Sequence, residues 1–304
     1  MPYQRRWSLL AVIVSAACFG TLAVLTPLAY REGAEPLPLL AWRFAIAAVL
    51  LGTVASVRDR RALIVPASDI GRYAVLALTG YGAASVCFFF ALTYADASVV
   101  AVLLYAYPAL VTVAGWVLLK ERATWQQGLG VAVTFLGCAL VVGLGSAQVH
   151  AQWQGIALGL GAALGYTVFN LMSHRWLPGR SRLTMMTYTF GIAVLLPATG
   201  AVALGGVAAL SPADWTLEAW WLLLAIVAVP TFAAVVLYLE GIRGLGPSQA
   251  AVVSTFEPLF TIVLAAWFLQ ERLSALQLAG AALVLAGVVA AEIGARSVGQ
   301  PAPS

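Results

Sequence analysis

The sequence predicts an all-α integral membrane protein of ten transmembrane helices, arranged as two inverted five-helix repeats. Three observations predict it. Of the 304 residues, 62% are hydrophobic and 9% charged, with a mean hydropathy of +0.95. Soluble domains run at about 45–50% apolar and about 25% charged. The apolar residues fall into ten runs, each close to the roughly 20 residues that a helix needs to cross a bilayer. The second half of the chain also repeats the first at a nearly constant offset.

The composition excludes a soluble enzyme, a disordered chain and a disulfide-rich secreted domain. The single lysine, Lys120, follows Leu119, so no phosphate-cradling Gly-x-x-x-x-Gly-Lys-Ser/Thr loop exists and ATP-driven pumping by this chain is not expected. The isoelectric point near 9.1 reflects arginines at span ends, a membrane-orientation signal and not a nucleic-acid surface. Cys18, Cys87 and Cys138 lie far apart in apolar runs, without metal spacing, and read as small packing residues. No cofactor or metal is expected.

The ten spans run Trp7–Ala29, Leu37–Val57, Tyr73–Tyr94, Ala97–Leu119, Thr124–Ser146, Trp153–Ser173, Leu183–Gly205, Ala219–Leu239, Pro247–Leu269 and Ser274–Ala291. The first follows Arg5-Arg6, as export signals do, but it is too long for a signal core and nine spans follow, so it is read as a retained helix. The connections are short. The end of the chain, residues 297–304, reads as a disordered tail. With the N-terminus in the cytoplasm, the inner segments collect Arg5, Arg6, Arg58, Arg60, Arg61, Arg72, Lys120, Arg122, Arg175, Arg180, Arg182, Arg243 and Arg296. The outer segments hold only Arg31 and Arg272. This bias places both termini inside, in the inner membrane of a bacterial-type cell.

The repeat divides the chain into residues 1–150 and 151–296. At an offset of 150, Pro108 falls on Pro258, Glu121-Arg122 on Glu271-Arg272, Gln127 on Gln277, Gly130 on Gly280 and Gly137 on Gly287. Nearer the start of each half the offset is 146, matching Thr21 with Thr167, Phe44 with Phe190, Ile46 with Ile192 and Ala47 with Ala193. Five spans is an odd number, so the second copy must sit upside down. Inverted repeats are common in secondary transporters, whose sites lie near the midplane where the repeats meet.

The two five-span repeats, the proline in each fourth span, the Glu-Arg at its end, Trp42-Arg43-Phe44 and Phe256-Glu257-Pro258 resemble the EamA-type branch of the drug/metabolite transporter superfamily. Within it, Tyr105-Ala106-Tyr107-Pro108 resembles the Tyr-x-aromatic-Pro of YddG-type exporters of aromatic amino acids. The resemblance implies a membrane exporter of small neutral or zwitterionic metabolites, amino acids foremost. A carrier of drugs or organic cations with Glu257 as counter-charge is the alternative. A receptor or scaffold without transport is a more distant one, since no soluble domain or long tail is present to serve it. The expected partners are a small-molecule substrate and membrane lipid; nothing in the residues sets the oligomeric state.

Candidate site residues come from helix interruptions, polar aromatics and buried charges. Helix breaks are expected at Gly80 and Pro230, and at Pro108 and Pro258, because a proline frees a backbone carbonyl. Tyr81, Ser85 and Phe88 share one face of the third span, and Tyr166 and Asn170 one face of the sixth. Tyr105 and Tyr107 precede the first proline, and Phe19 lies in the first span. Packing explains most aromatics at such spacing, but a hydroxyl or amide facing lipid is costly, which favours a shared cavity. Arg43 and Glu257 are the two charges well inside spans, and intramembrane charges mark functional sites by default. A cap on backbone carbonyls is the plain alternative for Arg43, and a buried structural carboxyl for Glu257. Glu271-Arg272 and Lys120-Glu121-Arg122 read as helix-end anchors. His150 and His174 sit at span ends, and no nucleophile–base arrangement suggests an enzyme. Reporter fusions after Arg61, Arg180 and Arg296 should report cytoplasm, and those after Asp96, Val149 and Asp214 the outside. A swap of any adjacent pair would mean a miscounted span.

Overall fold

A computed structural model describes residues 2–59, 61, 63–118, 124–142, 152–176, 181–245 and 247–296. The terminal tail, the Lys120-Glu121-Arg122 anchor and His150 lie outside the described residues. The described chain is helical, and its ten passes are numbered in order. They are α1 (Arg6–Arg31), α2 (Pro36–Arg58), α3 (Ala67–Tyr94), α4 (Ala97–Leu118), α5 (Trp125–Val141), α6 (Trp153–Trp176), α7 (Arg182–Gly205), α8 (Leu217–Leu245), α9 (Pro247–Ser254 continued by Glu257–Leu269) and α10 (Ala275–Arg296). Seven are long and apolar enough to cross a bilayer by themselves, and three more apolar helices complete the count.

The repeat appears in helix starts as well as in helix order. α5 and α10 open with the same capping box. Thr124 Oγ1 accepts the Gln127 N–H at 3.1 Å while Gln127 Oε1 accepts the Thr124 N–H at 3.1 Å. Ser274 and Gln277 exchange the equivalent bonds at 3.2 and 2.9 Å. Each box satisfies donors that the first turn of the helix leaves without a partner.

Packing follows the same symmetry. α2 pairs with α7 and α5 with α10; α1 packs on α8 as α6 packs on α3. The α5–α10 seam fixes the orientation of the repeats. A Cβ on Gly130 would stand 2.6 Å from the Gly287 carbonyl oxygen, and one on Gly137 2.6 Å from that of Gly280. Residue numbers rise along one helix as they fall along the other, so these equivalent helices are antiparallel and the second repeat is inverted. In a membrane, where apolar burial does not favour one helix partner over lipid, such close backbone approach supplies the attraction.

The interruptions in the third, fourth, eighth and ninth passes come in equivalent pairs, whereas Thr21 in α1, Val194 in α7 and a further π-turn at Ala265–Leu269 have no counterpart among the described residues. α3 widens into a π-turn at Leu76–Tyr81, and α8 into one at Val227–Ala233. Gly80 and Pro230 lie inside these wide turns, and the helix continues through both. α4 and α9 are broken outright, at Tyr105-Ala106 and at Thr255-Phe256. Each break falls before the proline, which then occupies the first turn of the new helix, where its missing N–H costs nothing.

Glu271 does more than anchor a helix end. Asp96 precedes α4 but its side chain does not cap it. The Glu271 carboxylate, from the α9–α10 junction, does so instead. It accepts the Ala97 N–H at 2.7 Å, the Ser98 N–H at 3.1 Å and the Ser98 hydroxyl at 2.6 Å. The preceding residue, Gln270, has φ of 59°, the one positive φ outside glycine among the described residues. That left-handed turn aims Glu271 at α4. Every residue of α4 from Ala97 to Leu103 is buried, whereas its second half buries only Ala109 and Gly115. The first half of α4 is therefore enclosed by the bundle at the Glu271 end, and its second half is more exposed.

Two stability predictions follow from this packing. Gly137→Ala should cost about 1–3 kcal/mol by prising α5 from α10. Gly128→Ala, on the same helix but facing open space, should be neutral or stabilising by up to about 1 kcal/mol. Unfolding midpoints in detergent would check the contrast. Glu271→Ala should lower the midpoint, at about 1–3 kcal/mol for each donor left unmet, and Gln270→Gly should raise it by relieving a penalty of about 1–3 kcal/mol. A midpoint unchanged by Glu271→Ala would show that water replaces the cap.

Candidate functional site

The two charges well inside spans, Arg43 and Glu257, hold separate partners. Arg43, on α2, is 2% exposed. Its Nε–H donates to Thr231 Oγ1 at 2.9 Å, and a terminal N–H points to the Tyr81 hydroxyl at 3.4 Å. The guanidinium carbon lies 5.5 Å from the Phe89 ring centre and 5.6 Å from that of Phe44. Among the described residues no carboxylate lies within ion-pair distance of it. Tyr81 and Thr231 occupy equivalent positions of the two repeats, each in its π-turn. The extra residue in a π-turn rotates the following side chain inward, and here it brings both hydroxyls to one guanidinium. Thr231 in turn donates to the Ile226 carbonyl, five residues back, at 2.8 Å.

Glu257 begins the second half of α9. Its Oε2 and the Tyr105 hydroxyl are 2.7 Å apart, and the same hydroxyl is 2.9 Å from the Ser254 carbonyl oxygen. The Ser254 hydroxyl is buried and has no hydrogen-bond partner. α1 presses against this corner through Gly20, where a Cβ would lie 3.2 Å from the Glu257 carbonyl oxygen and 3.1 Å from the Thr261 nitrogen.

Four tyrosines run from one charge to the other. The Tyr81 ring lies 5.9 Å from Tyr166, Tyr166 5.3 Å from Tyr107, and Tyr107 6.1 Å from Tyr105. The separations suit tilted and edge-to-face aromatic pairs. The ladder thus reads Arg43, Tyr81, Tyr166, Tyr107, Tyr105, Glu257, and draws on five helices. Behind Tyr81 stand Phe190 at 5.1 Å, Phe169 at 5.5 Å and Phe44 at 5.9 Å. Phe44 and Phe190 are repeat equivalents and stack at 5.7 Å where the halves meet.

The remaining sequence candidates take lesser places. Ser85 and Phe88 are buried further along α3, with Phe88 against Phe89 at 6.5 Å. Asn170 folds back on its own helix, donating to the Tyr166 carbonyl at 2.8 Å. Phe19 is half-buried beside Gly20 and, among the described residues, makes no ring contact with the four tyrosines. A groove of about 770 Å3 lies elsewhere, between α2 and α7, lined by Ala48, Gly52, Thr53 and Thr187 among others and bearing no charge. Among the described residues, no cluster of His, Cys, Asp and Glu could hold a metal.

Sequence reading missed Phe89, Phe169, Ser254 and the partnership of Thr231 with Arg43. Only Ser254 carried a usable signal: it stands four residues before Pro258, which has no N–H to offer its carbonyl. The others depend on where the repeats meet, which an internal alignment does not give.

The model of the EamA-like transporter family matches this chain twice, over residues 6–143 and 153–291. Among its relatives, the uncharacterized transporter YcbK of Bacillus subtilis is 27% identical over 281 residues, 88% of this chain and 87% of that one. The uncharacterized transporter YyaM of the same organism is 24% identical, covering 84% of each chain. An uncharacterized transporter of Archaeoglobus fulgidus is 27% identical, covering 84% of this chain and 86% of its own. A crystal structure at 18% identity superposes with a TM-score of 0.68, over 96% of this chain and 99% of that one, and so shares the fold. With both five-helix repeats matched along nearly their whole length, the chain belongs to the EamA-like transporter family.

Proposed function

We propose that the chain is a secondary exporter of small neutral or zwitterionic metabolites with an aromatic body, amino acids foremost. It would work by alternating access in the inner membrane, with both termini in the cytoplasm. The observation that carries this reading is the tyrosine ladder ending on Glu257. Phenol rings offer flat apolar walls and hydroxyls at fixed points, which suits an apolar body with small polar ends. Arg43 is occupied by Thr231 and Tyr81, and no basic side chain among the described residues pairs with Glu257. A substrate ammonium is the natural partner for that carboxylate. The second halves of α4 and α9 begin at Tyr107 and Glu257, and helix N-termini favour a carboxylate nearby. Outward direction follows the likeness to amino acid exporters.

The unpaired Glu257 also supports a second reading, a carrier of apolar organic cations. The two share the site and differ in whether a substrate carboxylate is needed.

Counterflow in proteoliposomes, across a panel of amino acids and organic cations, tests both. Tyr107→Ala should raise the half-saturation concentration for Phe or Trp roughly threefold to tenfold, the equivalent of one aromatic contact of about 0.5–1.5 kcal/mol. Thr and Ala should be affected less. Phe135→Ala, on the half-exposed face of α5, should change little. Equal losses for large and small substrates would put the binding site elsewhere.

A further inference from the structure

Pro258 has no N–H, so the helix supplies no donor for the carbonyl of Ser254, four residues before it. The Tyr105 hydroxyl lies 2.9 Å from that carbonyl oxygen and 2.7 Å from Glu257 Oε2. Both contacts are of hydrogen-bond length, but a phenol has one proton to give. A carbonyl only accepts, and so does an ionised carboxylate. With Glu257 ionised, one of the two acceptors would face the phenol oxygen with no proton between them, in a buried place where unmet groups are costly. With Glu257 protonated, the count closes. The carboxyl O–H donates to the Tyr105 oxygen, and the Tyr105 O–H donates to the Ser254 carbonyl.

We propose that Glu257 is a proton-binding site, loaded in this conformation, and that Tyr105 links its loading to the break in α9. The inference rests on the transporter reading in one respect: it makes the proton the ion exchanged for substrate. On loss of the proton, Glu257 becomes acceptor-only and draws the Tyr105 proton to itself. The Ser254 carbonyl is then released. α4 keeps its hold on the second half of α9 and lets go of the first. A substrate ammonium needs the ionised carboxylate, so proton and substrate occupy Glu257 in turn, which is the requirement for antiport.

The surroundings suit a proton better than a fixed charge. The titratable groups facing Glu257 are phenols, Tyr105 and Tyr107 from α4 and Tyr166 from α6. α1 brings Gly20 to this side and has no charged residue between Trp7 and Tyr30. Arg43, on α2, is held by Thr231 and Tyr81. α9 carries no other charge between Pro247 and Leu269. The first repeat has Tyr107 at the position of Glu257, so the device occurs once and the expected exchange is one proton per cycle.

Infrared spectroscopy of the purified, substrate-free protein tests the site without reference to transport. At neutral pH the wild type should show a protonated-carboxyl band that disappears in Glu257→Gln and shifts in Tyr105→Phe. Absence of that band, or its persistence in Glu257→Gln, overturns the proposal; Tyr105→Phe and a pH titration of the wild type decide it if Glu257→Gln does not fold. A band unmoved by Tyr105→Phe removes Tyr105 from the linkage. In proteoliposomes, an imposed pH gradient should drive wild-type substrate accumulation. Counterflow that ignores the gradient overturns the coupling while leaving the transport reading intact. No counterflow with any substrate defeats the transport reading, and the infrared result still decides the proton site.

Discussion

A bilayer core offers no water, so every backbone group left unpaired there must find a partner within the protein. That constraint organises the whole chain. Six of the ten passes run as helix from end to end, two of them through π-turns; α1 and α7 are interrupted at Thr21 and Val194, and α4 and α9 break outright. Where helices are interrupted, other elements meet freed groups. At the α9 break the Tyr105 hydroxyl, from α4, lies 2.9 Å from the Ser254 carbonyl oxygen, and at the α1 interruption the Thr261 hydroxyl, from α9, lies 3.2 Å from that of Gly20. Polar side chains therefore gather at the breaks, which makes the same place suitable for a polar ligand.

The symmetry of the repeats is close in the backbone and deliberately incomplete in the side chains. The π-turns of α3 and α8, the breaks of α4 and α9, the capping boxes and the glycine seam come in pairs. The charges do not. Arg43 has Thr189 as its equivalent, whose buried hydroxyl lacks a partner, and Glu257 has Tyr107. An inverted pair of identical halves gives the bilayer two interchangeable openings. Two copies of each charge would place four charges at the midplane, at a cost of several kcal/mol each. One cation and one acid, each in one repeat only, keep the exchangeable backbone and halve that burden.

Much of the fold was legible because it rests on periodicity and composition. The ten spans match the helices closely, since a run of apolar residues in lipid has one stable outcome. The repeat offset told which helices are equivalent, and the odd span count told that they are inverted. The site was legible only in part. Tyr81, Tyr105, Tyr107 and Tyr166 do converge, since polar aromatics have few tolerable places in a membrane. Phe19 and Asn170 take no ring place in the ladder: Phe19 lies on α1 without a polar handle, and the Asn170 amide is spent on the Tyr166 carbonyl one turn back. The facing of side chains on α3 was hidden for another reason. A π-turn adds a residue and shifts the facing of everything beyond it, and no spacing rule reveals a π-turn at Leu76–Tyr81. The positions of the two breaks likewise depend on the proline's preference for a first turn, which moves each break upstream of the residue that causes it.

The closed end of the bundle shows how such a structure can still move. Two states exchanged in a transport cycle must lie within a few kcal/mol of each other. The Glu271 cap gathers three donors on one carboxylate, and hydrogen bonds to a charged group contribute about 1.5–3 kcal/mol each. Alone, it would hold α4 too firmly to α9 for easy opening. The left-handed Gln270 that positions it costs about 1–3 kcal/mol in return. In the alternating-access cycle proposed for this chain, that strain would offset part of the hold of the cap and so help to keep closure reversible. The Glu257–Tyr105–Ser254 triangle lies farther along the same two helices. In that proposed cycle, a change of hydrogen bonding there would bear on the same α4–α9 contact that Glu271 makes.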